Sequence, residues 1–280
     1  MHLIMIVTAL AIAHSIRLIP IKTEGSWQQR WQRSLFLFLF PPLILTTTVI
    51  ATLLMGAQGQ MLGLQASWFS YWLSFGFISI LIFYWCKLAY QGWYSQQKVK
   101  TYPQRLLQNK PVRLVSLELP YIAQVGFWQP ELVVSQGLLS ILNRDQIKAV
   151  LAHEQAHLKY HDTFYFFWLG WLRTCTAWLN NTAALWEELL LLREIRADLA
   201  AAKTVDALIL AESLLAVVET SLQPNSCVEV GFSLPLPDNR LTQRIDALIN
   251  NAALPTSPNL IYWSWLILAF APLATIPFHC

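Results

Sequence analysis

Four stretches of this chain are apolar over about the 20 residues that a helix needs to cross a bilayer core. They run from Leu3 to Ile19, Leu35 to Met55, Trp68 to Tyr90 and Leu260 to Phe278. Hydrocarbon offers a backbone no hydrogen-bond partners, so each run predicts a helix that satisfies its own polar groups. Composition agrees. Hydrophobic residues make up 55% of the chain, charged residues 12%, and there are 13 tryptophans, which is a membrane composition rather than that of two soluble domains.

The placement of Lys and Arg orients these runs. Arg17, Lys22, Arg30 and Arg33 follow the first run, Gly56 to Ser67 carries no basic residue, and Lys87, Lys98, Lys100, Arg105, Lys110 and Arg113 follow the third. Basic loops stay cytoplasmic. The pattern predicts an outside N-terminus, three spanning helices in residues 1–90, a cytoplasmic segment, and a fourth helix in 258–280 that returns Cys280 to the outside. The first run also contains Ala11-Ile12-Ala13, which resembles a signal cleavage site. Its basic residues follow the apolar run instead of preceding it, which favours a span. The net charge of +3 reflects this loop bias and points to no nucleic-acid partner. Cysteines 86, 175, 227 and 280 show no CxxC spacing and read as structural fillers.

Residues 91–111 are polar and basic, with prolines at 103 and 111, and read as a juxtamembrane linker along anionic headgroups. From 112 to 255 short β-rich runs (VRLVSLEL, YIAQVGF, ELVVS) give way to helices, so an α+β, mainly helical domain is expected between the membrane helices. The strand Glu131 to Ser135 precedes a helix and is a candidate edge for pairing with an extended peptide. Residues 163–179, TFYFFWLGWLRTCTAWL, are short for a span and contain Arg173. Together with 183–203 they predict a helical hairpin at or partly within the membrane surface, with Arg173 snorkelling or paired.

The chemistry concentrates in VLAHEQAHLKYHD, residues 150–162. Asn143 with Gln146 forms a variant capping box, and Ile147, Val150 and Leu151 supply a buried stripe, so the stretch is helical. His153 and His157 then share a face about 6 Å apart, close enough to grip one ion. Glu154 lies beside them, where its carboxylate can take a proton from an attacking water. With six histidines in 280 residues, HExxH arises by chance in about one such chain in two hundred. A catalytic zinc needs a third protein ligand. Glu187, Glu188, Glu194 and Asp198 are candidates, and Glu194 and Asp198 stand four apart in REIRADLAA.

HEQAHLKYHD followed by EIRAD at 194–198 resembles the gluzincin membrane peptidases, which have two branches: the BlaR/MecR antirepressors, and the HtpX and CAAX prenyl proteases. PDNRLTQRIDAL, residues 237–248, is similar to an Arg-Ile segment near the end of those domains. The resemblance implies a gluzincin-like metallopeptidase domain inserted in an α-helical membrane protein of about four spanning helices, with Zn2+ as cofactor. It implies His153, His157 and Glu194 as metal ligands and Glu154 as general base. Asp162 and Asp198 would orient the ligand histidines, and Arg244 would be an oxyanion donor or a structural ion-pair partner. His161 reads as a surface residue.

Three spans before the zinc domain and one after it favour the BlaR/MecR branch. No penicillin-binding sensor domain is expected after Cys280, so antibiotic sensing is not implied. The implied function is a zinc endopeptidase acting on a cytoplasmic or membrane protein, in regulatory proteolysis such as cleavage of a BlaI/MecI-like repressor. Its partners would be that protein substrate and the lipid bilayer. The alternatives are an HtpX-like quality-control or processing protease, and a non-catalytic zinc-binding receptor; the presence of Glu154 argues against the latter.

Overall fold

A computed structural model describes residues 1–61, 64–221, 238–250 and 263–278. Cys227, Pro237, residues 260–262, Cys280 and the expected domain boundary at 255–258 lie outside the described residues. The chain forms two compact units. Met1–Leu88, Leu169–Leu190 and Pro255–Cys280 make the first, and Ala89–Trp168 with Leu191–Leu254 the second.

In the first unit, α1 (His2–Arg17) packs on α2 (Trp27–Met55). Ser26 opens α2 with a capping box to Gln29. Inside α2, Pro41 and Pro42 cannot donate to the helix ladder. Thr46 Oγ1 donates to the Pro42 carbonyl at 2.7 Å, and Thr47 Oγ1 to Ala269 O at 2.6 Å. A short hairpin, β1 (Gln60–Met61) and β2 (Leu64–Gln65), leads to α3 (Trp68–Lys100).

The expectation of four spanning helices is corrected here. Among the described residues, α2 and α3 are the two helices long and apolar enough to cross a membrane. The 16 residues of α1 cover only about 24 Å, short of a hydrocarbon core of about 30 Å. The last apolar run breaks into α10 (Trp265–Ala269) and a 3-10 helix (Ala271–Phe278) that contains Pro277. Apolar composition sets hydropathy, but proline sets where a helix can continue. Arg17, counted above with the basic residues after the first run, is the last residue of α1. It is buried, donating to Thr182 Oγ1 at 3.1 Å and to the Phe38 carbonyl at 3.2 Å.

The second unit starts within α3, and this overturns the linker reading of 91–111. Helix continues to Lys100, then β3 (Gln104–Leu107) pairs antiparallel with β4 (Lys110–Val115). Gln108 and Asn109 both have positive φ, 48° and 63°, as a two-residue hairpin turn requires. β5 (Ile122–Val125) and β6 (Glu131–Ser135) complete a sheet of order β3-β4-β6-β5, with β4 and β6 parallel. β6 is therefore interior, and Glu131 to Ser135 offers no free edge. The edge beside it is β5, because the β5–β6 hairpin folds back on the outside of the strand that follows it.

Ser135 caps the short α4 (Gln136–Ile141), accepting from Leu138 N at 3.0 Å and also from Tyr121 N at 2.8 Å. A side chain at Gly137 would overlap the Glu118 carbonyl, so only glycine lets this turn close. The sheet face carrying Val112, Leu132 and Val134 buries against Leu138 and against Val150 and Leu151 of α5 (Arg144–Lys159). Each such side chain contributes about 1.5–3 kcal/mol on burial. α5 also packs on α8 (Ala207–Ser221), which meets α9 (Asp238–Ile249).

Residues 163–179 and 183–203 do form two helices, α6 (Asp162–Cys175) and α7 (Thr182–Ala201). Their connecting ends, Leu169–Leu190, cluster with the first unit instead of with the domain expected at 112–255. There Trp171 Nε1 donates to Leu81 O at 2.9 Å, and Arg173 lies 5.2 Å over the Trp186 ring. Arg30 forms a two-bond ion pair with Glu188 at 2.7 and 3.0 Å. Cys86 and Cys175 are free thiols.

Candidate metal centre

The site begins with the start of α5. Asn143 Oδ1 accepts from the backbone of Asp145 and Gln146, and Gln146 Oε1 returns a bond to Asn143 N at 3.0 Å. Ile147, Val150 and Leu151 then fix which side faces the sheet, and His153 and His157 project one turn apart. Their ring centroids are 4.6 Å apart at 85°, and their Nε2 atoms 3.0 Å apart.

α5 ends where Tyr160 leaves the helix and His161 takes φ 53°. That left-handed residue reverses the chain, so Asp162, the first residue of α6, folds back onto His157. His157 Nδ1 donates to Asp162 Oδ2 at 2.7 Å. The second oxygen of Asp162 pairs with Arg196, whose guanidinium stacks 4.3 Å over the Tyr160 ring.

α7 brings the remaining carboxylates. Glu194 Oε2 is 3.3 Å from His153 Nε2, and its Oε1 is 3.6 Å from His157 Nε2. One turn on, Asp198 Oδ1 lies 2.8 Å from His153 Nδ1 at full burial. Asp198 accepts two bonds from Arg244 of α9, from Nε at 2.7 Å and Nη2 at 2.9 Å. Arg244 Nη1 reaches only to 3.7 Å from Glu194 Oε2. Arg193 donates to Glu194 Oε1 at 2.9 and 2.7 Å and stacks 4.7 Å over Phe166. Glu154 is 7% exposed.

Charge follows from this packing. Burial alone would lower the His153 pKa, but Asp198 and Glu194 outweigh it and raise it to about 10. His157 is also raised: burial opposes the shift, while Glu194 and Asp162 drive it. Burial would raise Glu194, yet Arg193 and both histidines hold it well below the usual carboxylate range. Asp198 is lowered against its burial by Arg244 and His153. Arg244 is raised by Asp198 against its own desolvation. The centre is a buried anionic cup.

His153, His157 and Glu194 each offer one ligand atom, all within 4.8 Å of one another. A tetrahedral zinc bound at 2.0–2.1 Å separates its ligand atoms by about 3.3–3.4 Å. The two Nε2 atoms stand 3.0 Å apart, one Glu194 oxygen lies 3.3 Å from His153 Nε2 and the other 3.6 Å from His157 Nε2, each near that value, and the two-imidazole, one-carboxylate donor set suits zinc.

The structure thus brings together His153, Glu154, His157, Asp162, Glu194, Asp198 and Arg244, and leaves out Glu187, Glu188 and the exposed His161. Arg193, Arg196 and Tyr121 escaped the sequence reading. The two arginines lie within REIRAD, where they resemble surface ion pairs. Tyr121 sits just before β5, and its phenol is pushed up by burial, then by Glu154 and Tyr102. That places it on the Glu154 side of the centre.

The family model for the BlaR1 peptidase, M56, matches residues 73–247. The chain belongs to that family. The match begins inside α3 and runs through α9, so it covers the whole centre. No curated protein and no solved structure matches the chain. Membership in this family, with two helices able to span a bilayer, makes it a membrane metallopeptidase of the BlaR1 type.

Proposed function

We propose that this chain is a zinc-dependent endopeptidase in which His153, His157 and Glu194 hold the metal and Glu154 is the general base. The observation that carries the reading is that His153, His157 and Glu194 each offer one ligand atom within 4.8 Å of the other two, with a carboxylate behind each imidazole. Zinc, when bound, supplies a Lewis acid that polarises a carbonyl and lowers the pKa of water. Asp162 and Asp198 hold the two rings so that each Nε2 faces the same point. Glu154, buried beside them, takes the proton of the attacking water. The free edge of β5, Ile122 to Val125, pairs with the substrate as an added strand.

Lys22 before α2, Arg33 in its first turns, and Lys98 and Lys100 in the last turn of α3 support a cytoplasmic metal unit. The outside positions expected for both termini rested on four spans and no longer follow. A cytoplasmic protein is then the natural substrate, and a BlaI/MecI-like repressor suits regulatory proteolysis by a BlaR1-type enzyme. A reporter fused after residue 105 should read inside; an outside reading removes this topology.

The decisive experiment pairs metal analysis with cleavage of a co-expressed repressor. Glu154→Gln should retain about one zinc per chain and lose cleavage, whereas His157→Ala should lose the metal. Full activity in the glutamine variant refutes the base assignment. An intact repressor beside degraded membrane proteins moves the role to quality control.

A further inference from the structure

The turn between β5 and β6 carries an aromatic group with no place in the metal chemistry. Trp128 is 79% exposed, the most exposed large apolar side chain of the molecule among the described residues. It is not a stray surface residue. Phe127 beside it packs on Phe164 and Phe167 of α6 at 5.0 and 4.8 Å, and Trp128 lies 5.3 Å from Phe164. Beside them on α6, Tyr165 lies 5.4 Å from Phe164 and Trp168 5.6 Å from Phe167, and both are exposed. A contiguous aromatic patch of this kind on a protein surface marks something that covers it.

What covers it follows from where the turn lies. At Gly126, φ 131°, an added Cβ would stand 3.3 Å from Nε2 of Gln96, the tip of a side chain that α3 extends to the turn. The turn therefore lies within reach of the Gln96 side chain of α3. Two or three residues back along α3, about 3–5 Å by helix rise, lie Tyr94 and Trp93. With Tyr90 they form an exposed aromatic group, ring centroids 6.1 and 6.5 Å apart, on a helix able to span the bilayer. Exposed Lys98 and Lys100 follow directly. Tyr and Trp bordering an apolar span, with lysines next, are the arrangement of a membrane–water interface.

We propose that Trp128, with Tyr165 and Trp168 of α6, forms a lipid-interface contact continuous with the α3 aromatic belt. It holds the metallopeptidase unit against the bilayer surface. Indole and phenol suit this depth because each has an apolar ring and a polar tip. The contact tethers α6 at its first turns, next to Asp162, so the bilayer helps fix the segment that orients His157.

The test is depth measurement in liposomes of the full chain. A spin label at Trp128→Cys, in a background with the four native cysteines replaced by serine, should show lipid-side oxygen accessibility and low access to a water-soluble nickel complex. Nickel access should match a label at Trp93 and fall to about one third of that at Leu106→Cys, as for an interfacial side chain. Leu106 is 76% exposed on β3, at the opposite edge of the sheet, and serves as the aqueous control. Water-like access at 128, equal to that at 106, overturns the proposal. A photo-crosslinking phenylalanine analogue at 128 needs no cysteine replacement. Adducts with phospholipid support the contact; adducts with a second copy of the chain or with another protein assign the patch to a protein partner and overturn it.

Discussion

Replacing Arg244 with methionine separates a positioning role from a catalytic one. Arg244 is buried and spends Nε and Nη2 on Asp198, which is itself fully buried. In Arg244→Met the Asp198 carboxylate loses two charge-assisted bonds and keeps His153 beside it. Removing one partner of a buried ion pair costs about 3–5 kcal/mol, because the other charge stays desolvated and unpaired. In the proposed centre Asp198, 2.8 Å from His153 Nδ1, also orients that ring, and loss of such support weakens metal binding by about 10–100-fold. The assays are thermal unfolding in detergent and zinc competition against a chelator. Both should fall together, and Asp198→Asn should relieve much of the stability loss, since it removes the stranded charge. The coupling between the two sites should be about 1–3 kcal/mol. If Arg244→Met keeps its stability and its zinc but loses turnover, Arg244 acts on the developing oxyanion and the positioning argument is wrong.

Asp162→Ala should weaken zinc by about 10–100-fold, read by the same competition, because His157 Nδ1 loses its acceptor. Glu188→Gln should leave zinc content unchanged while lowering stability, since Glu188 belongs to the ion pair with Arg30 rather than to the centre. Loss of zinc in that variant would move the third ligand.

The local parts of the site were legible because helix geometry writes them into spacing. His153 and His157 four apart, the Asn143–Gln146 box and the Ile147, Val150, Leu151 stripe are short-range features, and the structure carries each one. The pairing of Asp162 with His157 was also within reach, five residues apart and closed by the reversal at His161. What could not be read was order in space. Nothing in ELVVS states that β6 lies between β4 and β5, because strand order is settled by which hairpin folds over which. Nor does hydropathy register the prolines that break the last apolar run, or the hydroxyl and carbonyl that hold Arg17 inside. The arginines of REIRAD were visible as residues but not as partners, since Arg196 meets Asp162 and Arg193 meets Phe166 only once α6 and α7 are packed.

Together with Arg244 of α9, those arginines set the charge of the centre. Glu154, Asp162, Glu194 and Asp198 face Arg193, Arg196 and Arg244, which leaves one net negative charge while both histidines are neutral. Two protons on the imidazoles supply the same charge as one divalent cation, and Asp198, Glu194 and Asp162 raise both histidines toward that protonated form. Metal binding requires neutral imidazoles, so cation and protons must exchange. The sign is fixed: His153, with a pKa near 10, is protonated at pH 7.5 and must release its proton when zinc enters. Zinc added to chelator-stripped protein in weak buffer at pH 7.5 should therefore release between about one and two protons per ion, and apparent affinity should rise with pH. A pH-stat reading of no protons would mean that the histidines do not receive the metal, and the assignment of the ligand triangle would fall with it.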